Sequence, residues 1–143
     1  MFEIFDMGGV FVATVLAYLA GWAWYSKILW QKPWMEALGK TDADVAENKL
    51  EFARSMLYGF FATLATALGV KALLLFADPG TFLVAIDLVL VVVFAFGVTT
   101  KFTELIYESK DPHWSKKPQI LLLIGSGYQI VSALIITAVL WFW

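Results

Sequence analysis

The sequence predicts an all-α fold, a four-helix transmembrane bundle with a short amphipathic interfacial helix after the first span. The 143 residues are 61% hydrophobic and only 15% charged, whereas soluble domains are roughly 45–50% apolar and about 25% charged. The apolar residues are clustered, because Asp, Glu, Lys and Arg are absent from residues 7–25, 55–70, 88–100 and 118–143. Nine of the ten Lys and Arg residues fall in or beside two of the intervening segments. Composition, clustering and charge placement together are typical of a protein that lies in a bilayer.

Each apolar stretch predicts one membrane span. About 20 apolar residues cross the hydrocarbon of a bilayer, and the middle two stretches reach that length when Lys71 and Asp87 are included. The spans use nearly the whole chain, which predicts a single integral membrane domain over residues 1–143. The residues before the first span are acidic where a signal peptide is basic, so we expect that span to be retained. We place the spans at about 7–26, 52–77, 82–107 and 118–142.

The first connector carries its own helix signals. Pro33 suits the first turn of a short helix, and Gly39 suits its end. Thr41 is a candidate N-cap for a second helix with acidic residues in its first turn. Since no helix breaker lies between Asp42 and Asp78, we expect this helix to begin outside the membrane and to continue into the second span.

Turn signals mark the later connectors. Asp78-Pro79-Gly80 predicts a tight turn between the second and third spans, in which proline fixes one backbone angle and glycine adopts the unusual one. The third connector, ESKDPHWSKKP, ends at Pro118, which suits the first turn of the last helix.

Basic residues predict the orientation of the chain. Lys and Arg near span ends remain on the cytoplasmic side, and only Lys71 falls on the half that holds the termini and the Asp78-Pro79-Gly80 turn. We therefore expect a protein of the plasma membrane (in bacteria, the inner membrane), with both termini outside and connectors 27–51 and 108–117 in the cytoplasm. The other nine basic residues are Lys27, Lys32, Lys40, Lys49, Arg54, Lys101, Lys110, Lys116 and Lys117.

Tryptophan and tyrosine cluster at the predicted span ends. Amphipathic rings are favoured at the depth where a helix leaves the hydrocarbon, and the short helix after Pro33 is suited to lie flat on the inner leaflet. Membrane lipids are therefore expected partners. The predicted interfacial belt consists of Trp22, Trp24, Tyr25, Trp30, Trp34, Trp141 and Trp143.

Two blocks of the sequence resemble a known family. The first contains Gly21, the triplet Trp24-Tyr25-Ser26 and the run Lys32-x-Trp34-Met35. The second leads from VTTKFTELIYE (98–108) to GSGYQIVSALIITAVLWFW (125–143). Over nearly the whole chain, this order resembles the DUF 1761 family of uncharacterised membrane proteins, which implies a small integral membrane protein of several helices with no assigned activity. The sequence departs from the family's pattern at Lys27, Gln31 and Gly125.

Small residues recur at every fourth place along the first and last spans, so another helix can approach each of them closely. The pattern has two interpretations, which are packing within the bundle and a seam between two copies of the chain. Gln129, beside Tyr128, is expected to point inward because an amide in hydrocarbon has no partner; it serves either packing or contact with a substrate. The two stripes are Gly9, Ala13, Ala17 and Gly21, and Gly125, Gln129, Ala133 and Thr137.

Two pairs of charged residues lie at matching depths on the second and third spans. A charge at the centre of a span costs about 2.5–3.5 kcal/mol, so the presence of Lys71 and Asp87 within spans calls for an explanation. They form an ion pair, or Asp87 is a proton or cation site, or each reaches water separately. Near the cytoplasmic end, Arg54 and Glu104 are expected to pair, with Lys101 beside them.

Several classes of site are not expected. The chain contains no cysteine, which excludes disulfides and thiolate metal sites, and a net charge of −2 does not favour nucleic acid. His113 is interpreted as a solvated loop residue rather than a metal ligand, although Glu104, Glu108 and Asp111 lie near it in sequence. No catalytic constellation or cofactor motif occurs in the sequence, so we expect neither an enzyme nor a bound cofactor.

These patterns favour a protein that acts by binding and assembly, as a homo-oligomer or as an accessory subunit of a larger membrane complex. A small oligomeric transporter or channel that uses Lys71, Asp87, Tyr128 and Gln129 is the first alternative. A receptor for a lipid or a flat hydrophobic ligand is the second, given the seven tryptophans.

Overall fold

The structure is a computed structural model that describes residues 7–108 and 116–143. Every regular element in these two ranges is helical, as the sequence predicts. Helix α5, the π-helical segment and α6 follow one another without a break and form one long rod. The elements are α1 (Gly8–Trp24), α2 (Gln31–Leu38), α3 (Asp42–Glu47), α4 (Lys49–Ala77), α5 (Phe82–Val92), the π segment (Val93–Val98), α6 (Thr99–Glu108) and α7 (Lys116–Phe142).

Helix α7 is the centre of the fold. It packs against α1, α2, α4 and α5, and its buried face joins those of α1, α4 and α5 in one apolar core. Helices α1 and α7 run antiparallel. A Cβ atom built on Gly9 would lie 2.8 Å from Cγ of Trp143, and at the opposite end Nε1 of Trp24 donates a hydrogen bond to the carbonyl of Ile124 at 3.1 Å. Helix α1 is therefore in contact with α7 from one end of α1 to the other.

The bundle has two ends with different aromatic clusters. At one end, the ring of Phe82 packs against Trp141 and Phe142, with centroids 5.9 and 5.1 Å away; this end also holds the turn between α4 and α5 and is referred to as the turn end. At the other end, Tyr25 packs against Trp34 and Tyr128, with centroids 5.0 and 5.6 Å away. Because the first connector begins there, it is referred to as the connector end.

Three helical rods are long and apolar enough to cross a membrane: Lys49–Ala77, Phe82–Tyr107 and Pro118–Phe142. By length and composition, the expectation of four membrane spans is wrong, because α1 has only 17 residues. At about 1.5 Å per residue, α1 is about 25 Å long, which is less than the roughly 30 Å of hydrocarbon in a bilayer. The helix ends at Trp24, after which the amides of Tyr25 and Ser26 bond back to carbonyls of the last turn and the chain bends towards α2.

The first connector confirms two local predictions and corrects a third. Helix α2 ends at Gly39, whose φ of 67° is the left-handed conformation typical of helix ends. Thr41 caps α3: its Oγ1 accepts a hydrogen bond from the Asp44 amide at 3.3 Å, and Oδ2 of Asp44 accepts one from the Thr41 amide at 2.7 Å. An unbroken helix from Asp42 is wrong, because the chain is interrupted at Asn48 (φ −111°, ψ 44°), whose side-chain amide donates to the Asp44 carbonyl at 3.0 Å.

The turn between α4 and α5 uses a different residue from the expected one. Asp78, not Gly80, adopts the left-handed conformation (φ 42°, ψ 58°), and its amide donates to the carbonyl of Leu74 at 3.0 Å. Aspartate tolerates this region because its short polar side chain can bond locally. The residue before a proline is disfavoured in the helical conformation, which explains why α4 ends where it does.

Candidate functional site

The small-residue stripe of α1 is used for packing inside the chain. Gly9, Ala13, Ala17 and Gly21 are all buried. A Cβ atom built on Gly21 would lie 2.6 Å from the hydroxyl oxygen of Tyr128, and this hydroxyl donates a hydrogen bond to the Ala17 carbonyl at 3.3 Å. Of the two interpretations of the stripe, packing within the bundle is therefore the one that the structure supports.

Part of the predicted interfacial belt joins helices instead of facing outward. Trp22 is 71% exposed and Trp30 is also exposed, as expected of belt residues. The indole of Trp24, by contrast, lies against Gly127, where a Cβ atom would meet Cζ2 at 2.9 Å. The other belt residues contact neighbouring helices at one end of the bundle or the other: Tyr25 and Trp34 at the connector end, Trp141 and Trp143 at the turn end.

Of the three interpretations of Lys71 and Asp87, the ion pair between them is not the one that the structure shows. Lys71 is only 7% exposed, whereas Asp87 is exposed on the outer side of α5. An ion pair is present elsewhere on α4, between Arg54 and Glu51 at 3.0 Å. Matching depth does not bring Lys71 and Asp87 together, because α4 and α5 pack mainly on α7 rather than on each other.

The predicted pair of Arg54 and Glu104 is replaced by a local one. A guanidinium nitrogen of Arg54 lies 3.0 Å from Oε1 of Glu51, and both side chains are more than half exposed. Glu51 is three residues earlier on α4, so the pair forms within one helical turn and needs no contact with α6. Such an exposed pair contributes little to stability.

The strongest polar feature of the bundle lies between α7 and the rod formed by the π segment and α6. A Cβ atom on Gly97 would lie 3.3 Å from Oε1 of Gln129, and a Cβ atom on Gly125 would lie 3.0 Å from Nζ of Lys101. Gly97 and Lys101 are one helical turn apart, and so are Gly125 and Gln129. Each helix therefore presents a long polar side chain to a glycine of the other. Lys101, Gln129 and the neighbouring Ser126 are referred to as the polar seam.

Two atoms of the polar seam are enclosed without a hydrogen-bond partner. They are Oγ of Ser126 and Oε1 of Gln129. Ser126 as a whole is 9% exposed, and it lies three residues before Gln129 on α7, so the two side chains are neighbours. The prediction that Gln129 points inward is confirmed, but its amide oxygen is not satisfied by the helices around it. Buried polar atoms without partners are rare in folded proteins, and each one calls for an explanation.

The π segment decides which side chains of its rod face α7. Asp87 and Lys101 are separated by nearly four α-helical turns, so a regular helix would place them on almost the same face. A π turn holds about one extra residue and rotates the chain beyond it by about 100°. Asp87 is consequently exposed, whereas Lys101 is half-buried against Gly125. Sequence reasoning missed this rotation because no residue type in VFAFGV marks a π turn.

Asp87 lies beside an open depression of about 650 Å³ on the outer surface of the rod. Apart from Asp87 and one threonine, the side chains that line it are apolar. The depression is referred to as the Asp87 groove, and its other lining residues are Leu90, Val91, Phe94, Ala95, Val98 and Thr99.

The residues of the transport alternative lie on different surfaces. Tyr128 contacts α1, Gln129 contacts the π segment, Asp87 faces outward and Lys71 is buried in α4. They therefore do not line one path through the described parts of the bundle. No group of three His, Cys, Asp or Glu side chains in residues 7–108 and 116–143 could hold a metal ion. His113 lies outside the described residues, so its interpretation stays a prediction.

One comparison with known proteins gives a match. The family described as "Protein of unknown function (DUF1761)" matches residues 9–141. No curated protein and no solved structure matches the chain.

Proposed function

The chain belongs to the DUF1761 family, and from that premise we propose that it is an integral membrane protein that works as an accessory subunit, by assembling with another membrane protein. Three of its helical rods have the length and composition of membrane spans. The surface that supports assembly is the Asp87 groove, on the outer side of one of these rods.

Helix α1 is the fourth span in this proposal. It lies along α7 from Gly9 at the turn end to Trp24 at the connector end, and its exposed large side chains, such as Phe11 and Leu19, are apolar. Short spans are accommodated by local thinning of the bilayer or by flanking residues that reach the interface. The nine basic residues near the connectors favour an orientation with the connector end in the cytoplasm and the turn end outside.

The observation that carries the proposal is the exposed carboxylate of Asp87 within an apolar span. On a lone molecule this side chain would face lipid about one and a half turns from the start of the rod, where a charge costs less than the roughly 2.5–3.5 kcal/mol that it costs at the centre of a span. A partner helix that fills the groove and pairs with the carboxylate removes that cost. The apolar lining of the groove suits the close packing by which helices associate in membranes.

The chemistry of the groove favours a partner other than a second copy of this chain. In the half of the protein that contains Asp87, the sequence has a single basic residue, Lys71, and that side chain is buried. Two copies related by symmetry through their grooves would also bring two Asp87 carboxylates together, which like-charge repulsion opposes. The expected partner is therefore a transmembrane helix of another protein that carries Lys or Arg at the depth of Asp87.

Photo-crosslinking in intact membranes tests this proposal. A photoreactive residue at Val91 in the groove should give one discrete adduct with another membrane protein, whereas the same residue at Phe61 on α4 should not; the two positions are 64% and 55% exposed. Asp87→Asn should reduce the yield at Val91, and Asp87→Glu should preserve it.

Charge exchange makes the test specific. The captured partner must carry Lys or Arg in the crosslinked span, and a partner with Asp at that position should recover assembly when combined with Asp87→Lys. A homodimeric adduct, equal capture from Val91 and Phe61, or a yield unaffected by Asp87→Asn would each refute the proposal.

A further inference from the structure

We infer that the polar seam of Lys101, Ser126 and Gln129 binds a small monovalent anion of the size of chloride, nitrate or bicarbonate. The inference is independent of assembly through the Asp87 groove, because the seam faces α7 while the groove faces outward.

Hydrogen bonding within the polar seam is incomplete. Oγ of Ser126 and Oε1 of Gln129 are enclosed and lack partners within the described residues, and such atoms in native structures indicate an ordered water or ion between them. The two residues are one helical turn apart on α7, and Gly125, against which Nζ of Lys101 lies, directly precedes Ser126. The three polar side chains therefore border the same turn of α7, and the anion site is inferred between them.

The polar seam contains a cationic side chain. Lys101 is half-buried within a rod that has the character of a membrane span, and no carboxylate among the described residues lies within 4.0 Å of its ammonium. The nearest acidic neighbour along α6, Glu104, is exposed. A lysine that merely avoided hydrocarbon would extend its stem towards the interface, whereas Nζ of Lys101 lies against the backbone of α7 at Gly125. The carboxylate of Glu104 acts on this ammonium only from beyond 4.0 Å. Water would therefore satisfy the two orphaned atoms but would leave the ammonium without a counterion in direct contact.

Each polar side chain of the seam can act as a hydrogen-bond donor. An anion accepts hydrogen bonds from the Lys101 ammonium and from the Ser126 hydroxyl. Rotation of the Gln129 amide by 180° exchanges its oxygen and nitrogen and presents N–H groups at the same place. The seam then offers donors from three side chains to one acceptor, which is the arrangement that a buried anion needs.

Enclosure sets the size of the ligand. The two orphaned atoms are inaccessible to solvent, and Gly97 and Gly125 let the side chains of Gln129 and Lys101 approach the backbone of the opposite helix closely. A lipid phosphodiester with its two substituents would have to separate α6 from α7 to reach them. The seam therefore selects a single anion of a few atoms.

Thermal unfolding of the full-length protein in a neutral detergent tests the inference. Sodium chloride or sodium nitrate is titrated at constant ionic strength against sodium gluconate, whose anion is too large for the seam. A ligand that binds only the folded state raises the Tm in a saturable manner, and we expect this rise with chloride or nitrate and not with gluconate. Lys101→Met should abolish it, and Ser126→Ala should weaken the apparent affinity by about tenfold, as expected for one hydrogen bond to a charged group.

Lys49→Met is the matched control, because it removes the same charge from an exposed position on α4 and should leave the anion effect intact. If Lys101→Met does not fold, Ser126→Ala decides the question alone, since it removes one oxygen atom from the seam. The inference is overturned if gluconate stabilises as much as chloride, if no salt gives a saturable rise, or if the effect survives in the seam variants. Each of these outcomes would mean that the ammonium and the orphaned atoms are accommodated without an ion.

Discussion

Replacement of Gly21 by alanine tests the contact between α1 and α7. The new Cβ atom would lie 2.6 Å from the hydroxyl oxygen of Tyr128 and 2.7 Å from its Cζ. A phenol ring is rigid, so it cannot relieve such short contacts by bending. The ring must move away, and its hydrogen bond to the Ala17 carbonyl is then lost.

The size of the effect follows from three opposing contributions. Overpacking of a close helix contact costs about 1–3 kcal/mol, and loss of one hydrogen bond costs about 0.5–1.5 kcal/mol. Alanine is favoured over glycine in a helix by about 1 kcal/mol, which acts in the opposite direction. We therefore expect Gly21→Ala to lower the free energy of unfolding by about 2 kcal/mol.

Unfolding in mixed micelles by titration with a denaturing detergent measures this difference. Gly69→Ala is the matched control, because Gly69 is also a helical glycine and a Cβ atom there meets nothing within 4 Å. The control should be stabilised by up to about 1 kcal/mol from helix propensity alone. If Gly21→Ala were as stable as Gly69→Ala, the close packing of α1 on α7 would be refuted.

Three further predictions concern the connector end and the first connector. Trp24→Phe should lower the free energy of unfolding by about 1 kcal/mol, because the hydrogen bond to the Ile124 carbonyl is lost. Trp30→Phe alters an exposed ring and should change this free energy little. Equal effects of the two substitutions in the same detergent titration would contradict the hydrogen bond between Trp24 and Ile124. Thr41→Ala removes the cap of α3 and should accelerate hydrogen exchange of the Asp44 amide about fivefold, and an unchanged rate would count against the cap. The hydrogen bond from the Thr41 side chain, followed by that from its backbone amide, holds the pKa of Asp44 below its ordinary value. Because the pKa of Asp44 is lowered in the folded protein, its carboxylate contributes to stability above the ordinary pKa, and this contribution is lost as the pH falls through the lowered pKa. An NMR titration of the Asp44 carboxyl should show the lowered pKa, and Thr41→Ala should return the pKa towards its ordinary value.

Signals that act over a few residues were readable from the sequence. Gly39 ends α2 because only its backbone takes the left-handed conformation without strain, and Thr41 caps α3 because its hydroxyl reaches the amide three residues on. The spacing of Gly9 and Gly21 likewise identified the face of α1 that another helix covers. These features depend on local stereochemistry, which a residue type largely determines.

Features that depend on the arrangement of helices were not readable. Depth along a span left a pairing of Lys71 with Asp87 open as one interpretation, but which helix faces meet is decided by packing around α7. The π segment changes the rotation of Lys101 relative to Asp87 and has no compositional signature. Ser126 was not singled out as a site residue, although a hydroxyl one turn before a buried amide in an apolar helix is a signal that could have identified it.

The disposition of the two ends across a membrane is the claim on which the proposed function depends most. The chain contains no cysteine, so single cysteines can be introduced at Gly80 in the turn and at Lys40 in the first connector, both of which are exposed. In intact cells, a membrane-impermeant maleimide should label Gly80→Cys at once and should label Lys40→Cys only after the membrane is permeabilised. Labelling of both positions from the same side would contradict the account, because α4 would then not cross the bilayer.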